Sequence, residues 1–202
     1  MDRTGFLRRY RQRLRFGLVF LLCLGSLGVA FARWEPWFAT GFVYPVSRAA
    51  AWLLELTGVP VVFDSHSLAL GFCSVLVGQV SLRVIHECTG LFALFIYLAA
   101  VAAYPSPLAR RLWGMALGVP AFLVYSALRL AVLGWVAHLV PRWLEFFHLY
   151  LLVSLNLGFA VFLWLYWMGR AKALQRNNRI NCSLLAPRSE APKMNQLFHG
   201  GP

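Results

Sequence analysis

Val84-Ile85-His86-Glu87-Cys88-Thr89-Gly90-Leu91 is the stretch from which the rest of the chain can be read. Before it, Gln79-Val80-Ser81-Leu82-Arg83-Val84 alternates polar and apolar residues, the period of a half-buried strand. After it, Gly90 to Tyr104 is almost wholly apolar. Cys88 therefore falls where a strand-like segment hands over to a membrane helix. Two other reactive side chains sit at comparable places: Arg129 near the end of the next apolar run, and His148 just before the last one.

The 202 residues are 60% hydrophobic and 13% charged, with mean hydropathy +0.65. Soluble domains run at about 45–50% apolar and about 25% charged, so this is an integral membrane protein, with the length of one domain. A net charge of +12 would suit a nucleic-acid partner, but its placement argues against one. Arg3, Arg8, Arg9, Arg11, Arg13 and Arg15 precede the first apolar run, and Arg170, Lys172, Arg176, Arg179, Arg188 and Lys193 follow the last. Cations flanking apolar spans are what the positive-inside rule produces. The partner expected from this pattern is the lipid bilayer, not nucleic acid.

In order, residues 1–15 read as a basic cytoplasmic tail, 16–168 as a membrane-embedded domain and 169–202 as a polar, disordered cytoplasmic tail. Phe16 to Ala32 is long enough to span. Its end, Ala30-Phe31-Ala32, also resembles a signal-peptide cleavage site; an uncleaved anchor is the preferred reading. Phe42 to Leu56 reads as an amphipathic helix on the membrane surface, with Trp34, Trp37 and Trp52 as interfacial aromatics. Gly58 to Phe63 is a turn into a short strand. Leu68 to Val77 and Gln79 to Ile85 read as irregular or β structure on the bilayer, with two short spans within residues 38–78 as the alternative. Gly90 to Tyr104, Leu112 to Val136 (kinked at Pro120) and His148 to Met168 complete about four transmembrane helices. The expected fold class is an all-α polytopic membrane protein with an interfacial helix and short β segments on the outer face.

Charge sets the orientation. Both tails and the turn Pro105–Arg111 are rich in Arg and Lys, whereas residues 33–87 carry Arg33, Arg48 and Arg83 against Glu35, Glu55, Asp64 and Glu87. With both termini cytoplasmic, Cys88, Arg129 and His148 all come to the outer face. Each has an ordinary reading as well. A lone cysteine in an apolar chain is commonly a small buried residue, but Cys88 has polar neighbours and opens a helix, where backbone N–H groups favour thiolate. An intramembrane arginine can snorkel or pair with Glu87 or Glu145, yet it keeps its charge and costs a few kcal/mol to insert. An interfacial histidine is commonly a polar tip in wet lipid, but it is also the side chain suited to proton transfer near neutral pH. His66, His86 and His138 are its rivals. Neither HExxH nor CxxC occurs, so no metal or cofactor is expected. Cys23 reads as a buried hydrophobe; a Cys73–Cys88 disulfide would need geometry that sequence does not give.

Cys88-Thr89-Gly90-Leu91, then Leu128-Arg129-Leu130 behind Pro120, then His148, resembles the exosortase/archaeosortase family over residues 40–165. The histidine in third place resembles the bacterial form. Ser126 stands where many relatives have asparagine, and Leu152 where many have glycine. The resemblance implies a membrane cysteine peptidase/transpeptidase that removes a C-terminal sorting tail (short motif, span, basic cluster) from exported proteins. It further implies Cys88 as nucleophile, Arg129 as the stabilising cation, His148 as general acid/base, no cofactor, and a bacterial inner-membrane location. From the residues alone, a non-enzymatic membrane assembly factor or a small transporter using Arg129 as an anion site stays open. Either of those should barely notice Cys88→Ser.

Overall fold

The computed structural model describes residues 3–185 of the backbone, and side chains over 10–170. The chain divides into two units at Trp167/Met168. The secondary structure is mostly helical, with one small sheet. Helix α1 (Arg3–Arg33) is followed by α2 (Glu35–Phe38), a π-helical turn (Ala39–Val43) and α3 (Tyr44–Leu56). Then come strands β1 (Val61–Asp64), β2 (Cys73–Val77) and β3 (Val80–Val84), with a 3-10 turn (His66–Leu70) between β1 and β2. Helices α4 (Leu91–Ala103) and α5 (Leu108–Leu139) follow. A 3-10 turn (Pro141–Trp143), α6 (Leu144–Phe146) and a second π-helical turn (Phe147–Leu151) lead into α7 (Leu152–Leu185).

Three helical segments among the described residues are long and apolar enough to cross a bilayer: Tyr10–Arg33, Leu108–Leu139 and Pro141–Arg170. The fourth expected span is the 13-residue α4, about 20 Å long at 1.5 Å per residue. Pro105 and Pro107 stop it, because neither can donate a helical hydrogen bond. The basic N-terminal stretch is helical, since α1 begins at Arg3. Helix α7 likewise continues past Lys172 to Leu185, where Ala, Lys, Leu, Gln and Arg are all strong helix formers. The remainder of the expected C-terminal tail, 186–202, lies outside the described residues.

Contact with lipid tails is as apolar as contact with leucine, so burial alone does little to join these helices; close approach and interhelical hydrogen bonds do more. Gly114 and Gly118, one turn apart on α5, supply the approach. A Cβ on Gly114 would meet the Trp167 indole, and one on Gly118 would land on the Tyr97 ring. Tyr97 in turn donates from its hydroxyl to the Gly114 carbonyl at 2.9 Å, a bond of about 0.6–1 kcal/mol in this setting. On another side of α5, Leu54 of α3 packs onto Gly134, and Trp135 Nε1 donates to Thr57 Oγ1 at 2.9 Å. The expected amphipathic helix is present, and its buried face (Val46, Ser47, Ala50, Ala51, Leu54) lies against α5.

The short strands expected from Val61 and from Val80 form, joined by β2 into an antiparallel sheet of order β1-β2-β3. Cys73, Val75 and Val77 alternate inward along β2 and are buried. Cys73 pairs across with Val84, which fixes the register of the strand leading to Cys88. Cys23, Cys73 and Cys88 are all free.

Candidate active site

Beyond β3 the backbone turns sharply. Cys88 N–H donates to the Ile85 carbonyl at 3.0 Å and Thr89 N–H to that of His86 at 3.3 Å. The Thr89 hydroxyl donates to the same His86 carbonyl at 2.8 Å. Gly90 then adopts φ 78°, a left-handed conformation that favours glycine, and its carbonyl accepts the first bond of α4 from Leu94 N–H at 3.1 Å. The side-chain amide of Asn156 on α7 closes over Gly90; a Cβ there would come within 2.7 Å of its Oδ1. Two independent constraints therefore demand glycine beside the cysteine.

The three residues singled out in the sequence converge. His148 Nε2 lies 3.6 Å from Cys88 Sγ. Arg129 Nη1 donates to the Cys88 carbonyl at 2.9 Å, and the arginine is only 6% exposed. Its Nε and the Nδ1 of His148 are buried without a hydrogen-bond partner. For His148 to accept the thiol proton at Nε2, the neutral ring must carry its own proton on Nδ1. Helices α5 and α7 are keyed together one turn from Arg129, where Tyr125 stacks on Phe159 at 4.1 Å and 5°.

His148 sits within the π-helical turn Phe147–Leu151. Such turns carry one extra residue, locally re-aim a side chain and are frequent at functional sites. Arg129 is deeper than its place near the end of an apolar run suggested. Helix α5 continues ten residues further to Leu139, so the arginine lies about 15 Å short of that end. A cavity of about 380 Å³ opens onto Cys88 and His148, walled by Arg83 and Val84 of β3, Leu130 and Leu133 of α5, and Glu145.

The rival histidines lie elsewhere. His66 is almost fully exposed and 3.9 Å from Asp64. His86 packs on the Phe31 ring at 4.7 Å and faces Glu35 at 3.9 Å. His138 lies beside Gly78. Among the described residues searched, no group of three His, Cys, Asp or Glu could hold a metal ion.

The sequence argument for a thiolate at a helix N-terminus needs correction. Cys88 precedes the first residue of α4 by three positions, and its own N–H points back into the turn. Burial pushes its thiol above the ordinary value, with Glu87 acting the same way; a backbone hydrogen bond at Ile85 and the charge of Arg129 pull it down without prevailing. This balance favours a neutral thiol beside the imidazole over a preformed thiolate. Alkylation of Cys88 by iodoacetamide in the purified protein, followed site by site by mass spectrometry, should be slow at neutral pH and climb as pH rises past the ordinary thiol range. A fast, pH-independent rate between about pH 6 and 8 would show a resting ion pair instead.

Sequence reasoning passed over the polar groups around this site. Asn156 is one and Tyr125 another; Tyr125 OH is buried without a hydrogen-bond partner one turn before Arg129, as is Oγ of Ser126, which the sequence marked only as a departure from the family pattern. The signal was there for Asn156: an amide inside a spanning run is costly unless it has work within the bundle.

A family model described as transmembrane exosortase matches residues 6–151. No curated protein and no solved structure matches the chain. The matched range takes in most of α1, the sheet, the Cys88 turn, Arg129 and His148, and it bears out the resemblance carried by Cys88-Thr89-Gly90-Leu91: the chain belongs to the transmembrane exosortase family.

Proposed function

We propose that this protein is a membrane cysteine peptidase/transpeptidase of the bacterial inner membrane, cutting a C-terminal sorting tail from exported proteins through a thioester on Cys88. The observation that carries the reading is the 3.6 Å approach of Cys88 Sγ to His148 Nε2, made by residues 60 positions apart. The thiol proton passes to Nε2 as the sulfur attacks a backbone carbonyl. The tetrahedral adduct collapses to a thioester, and the leaving amine takes the proton back from His148. An amine or a water then attacks the thioester and frees Cys88. Arg129 holds the cysteine turn through the Cys88 carbonyl, and the remaining N–H groups of its guanidinium supply the donors for a developing oxyanion.

Both termini are cytoplasmic in this reading and the site opens to the outer face, a placement that the charge distribution supports. A bond cut at that depth is best held by giving the substrate its own span just beyond it, stopped by a basic cluster. Confinement to the membrane then raises the effective concentration without tight binding. The substrate should end in a short motif, about 20 apolar residues and then Arg or Lys. Co-expressing such a protein with the enzyme and mapping its mature C-terminus by mass spectrometry should place the cut on the outer side, within a few residues of the span. Intact C-termini on every tail-bearing protein of the host, with folded enzyme present, would refute the peptidase reading.

A further inference from the structure

A cavity larger than the one at Cys88 lies at the other end of the bundle, where α4 turns into α5. It has a volume of about 1000 Å³ and is open on one side. Arg13 and Arg15 of α1 and Arg111 of α5 line it, and no carboxylate does. Three buried polar atoms of the same lining lack any hydrogen-bond partner: Arg111 Nε, Ser106 Oγ and Trp164 Nε1. All three can donate. Three cations gathered without a counter-ion repel one another, and each unpartnered buried donor carries a desolvation penalty of about 1–3 kcal/mol. An anion rich in acceptor oxygens relieves both at once.

The rest of the wall narrows the anion. Phe16 of α1 and Ala102 of α4 make one side apolar, and the cavity is much larger than a bare phosphate needs. A basic pocket with apolar flanks between spanning helices is the arrangement that takes an acidic lipid headgroup. We infer that this cavity binds the phosphodiester headgroup of an anionic phospholipid, with Arg15 and Arg111 on the phosphate oxygens and the acyl chains running out past Phe16. The inference goes beyond the peptidase reading and does not depend on it, since the cavity shares no residue with the Cys88 site.

The test is native mass spectrometry of the full-length protein in detergent with equimolar phosphatidylglycerol and phosphatidylcholine. Wild type should retain one phosphatidylglycerol in preference to phosphatidylcholine by roughly tenfold. Arg111→Gln and, separately, Arg15→Gln should bring the two lipids close to parity. Arg15 is exposed on α1, so its replacement leaves the packing intact should Arg111→Gln fold poorly. Arg48→Gln, on α3 outside the cavity, should keep the preference. Equal retention of the two lipids by wild type, or a preference that survives in both cavity variants, overturns the assignment. So does displacement of the lipid by millimolar inorganic phosphate, which would mark a free-phosphate site.

Discussion

Cys88→Ala should abolish tail cleavage, a loss on the order of 10⁴-fold or more, with the protein inserted at its normal level. The side chain is only part-buried and contributes little packing, so alanine leaves the turn intact; its bonds run through backbone and Thr89. Serine should fare almost as badly. A hydroxyl is a far weaker nucleophile than a thiol near neutral pH, and the 3.6 Å spacing to His148 suits the larger sulfur atom. The measurement is the rate at which a tail-bearing substrate is shortened in membranes, together with acid-quenched trapping of the acyl-enzyme. Wild type should yield a hydroxylamine-sensitive adduct at Cys88, and neither variant should. Retained function in Cys88→Ser would put the chain among assembly factors or transporters.

Arg129→Lys should lose on the order of 10²-fold in activity despite keeping the charge. The guanidinium occupies the Cys88 carbonyl with Nη1 and keeps its other N–H groups as directed donors in the same rigid plane. Lysine offers a point charge on a flexible stem; it can hold the carbonyl or meet the oxyanion, but not both at fixed geometry. Arg129→Ala should do worse. It strips the Cys88 carbonyl of its partner, at about 1–3 kcal/mol, and loosens the turn that aims the nucleophile. Turnover of the same substrate, normalised to membrane-inserted enzyme, reads both. Near-wild-type turnover in the lysine variant would reduce Arg129 to a generic positive charge.

The three site residues could be picked from sequence because each is chemically out of place in its own surroundings. Cys88 stands at a change of periodicity, Arg129 within a span, and His148 at the edge of one. Strands β1 and β3 were legible for the same reason, since alternation and turn glycines act locally. What escaped was set by contacts between distant segments. The sharp turn that holds Cys88 short of the helix N-terminus includes Gly90, which meets Asn156, 66 positions away. The thiol's raised pKa comes from burial, which composition does not show. The π-helical turn at His148 lies in a segment that contacts α5, and nothing in Phe-Phe-His-Leu-Tyr announces it. Arg129's depth went unseen because α5 continues through the weakly polar Ala137-His138 pair, where the sequence looked like a connection.

The shortness of α4 bears on where the reacting sulfur sits relative to water. Its roughly 20 Å falls about 10 Å short of an average hydrocarbon core. Most of α4 is buried, packed against the longer α1 and α5, so its end stops short inside the bundle and not at a lipid surface. Cys88 lies just beyond that end, recessed ten residues below the last turn of α5 at the level of Arg129. Water for resolving a thioester then has a route in the protein itself, through the cavity of about 380 Å³ that opens onto Cys88 and His148.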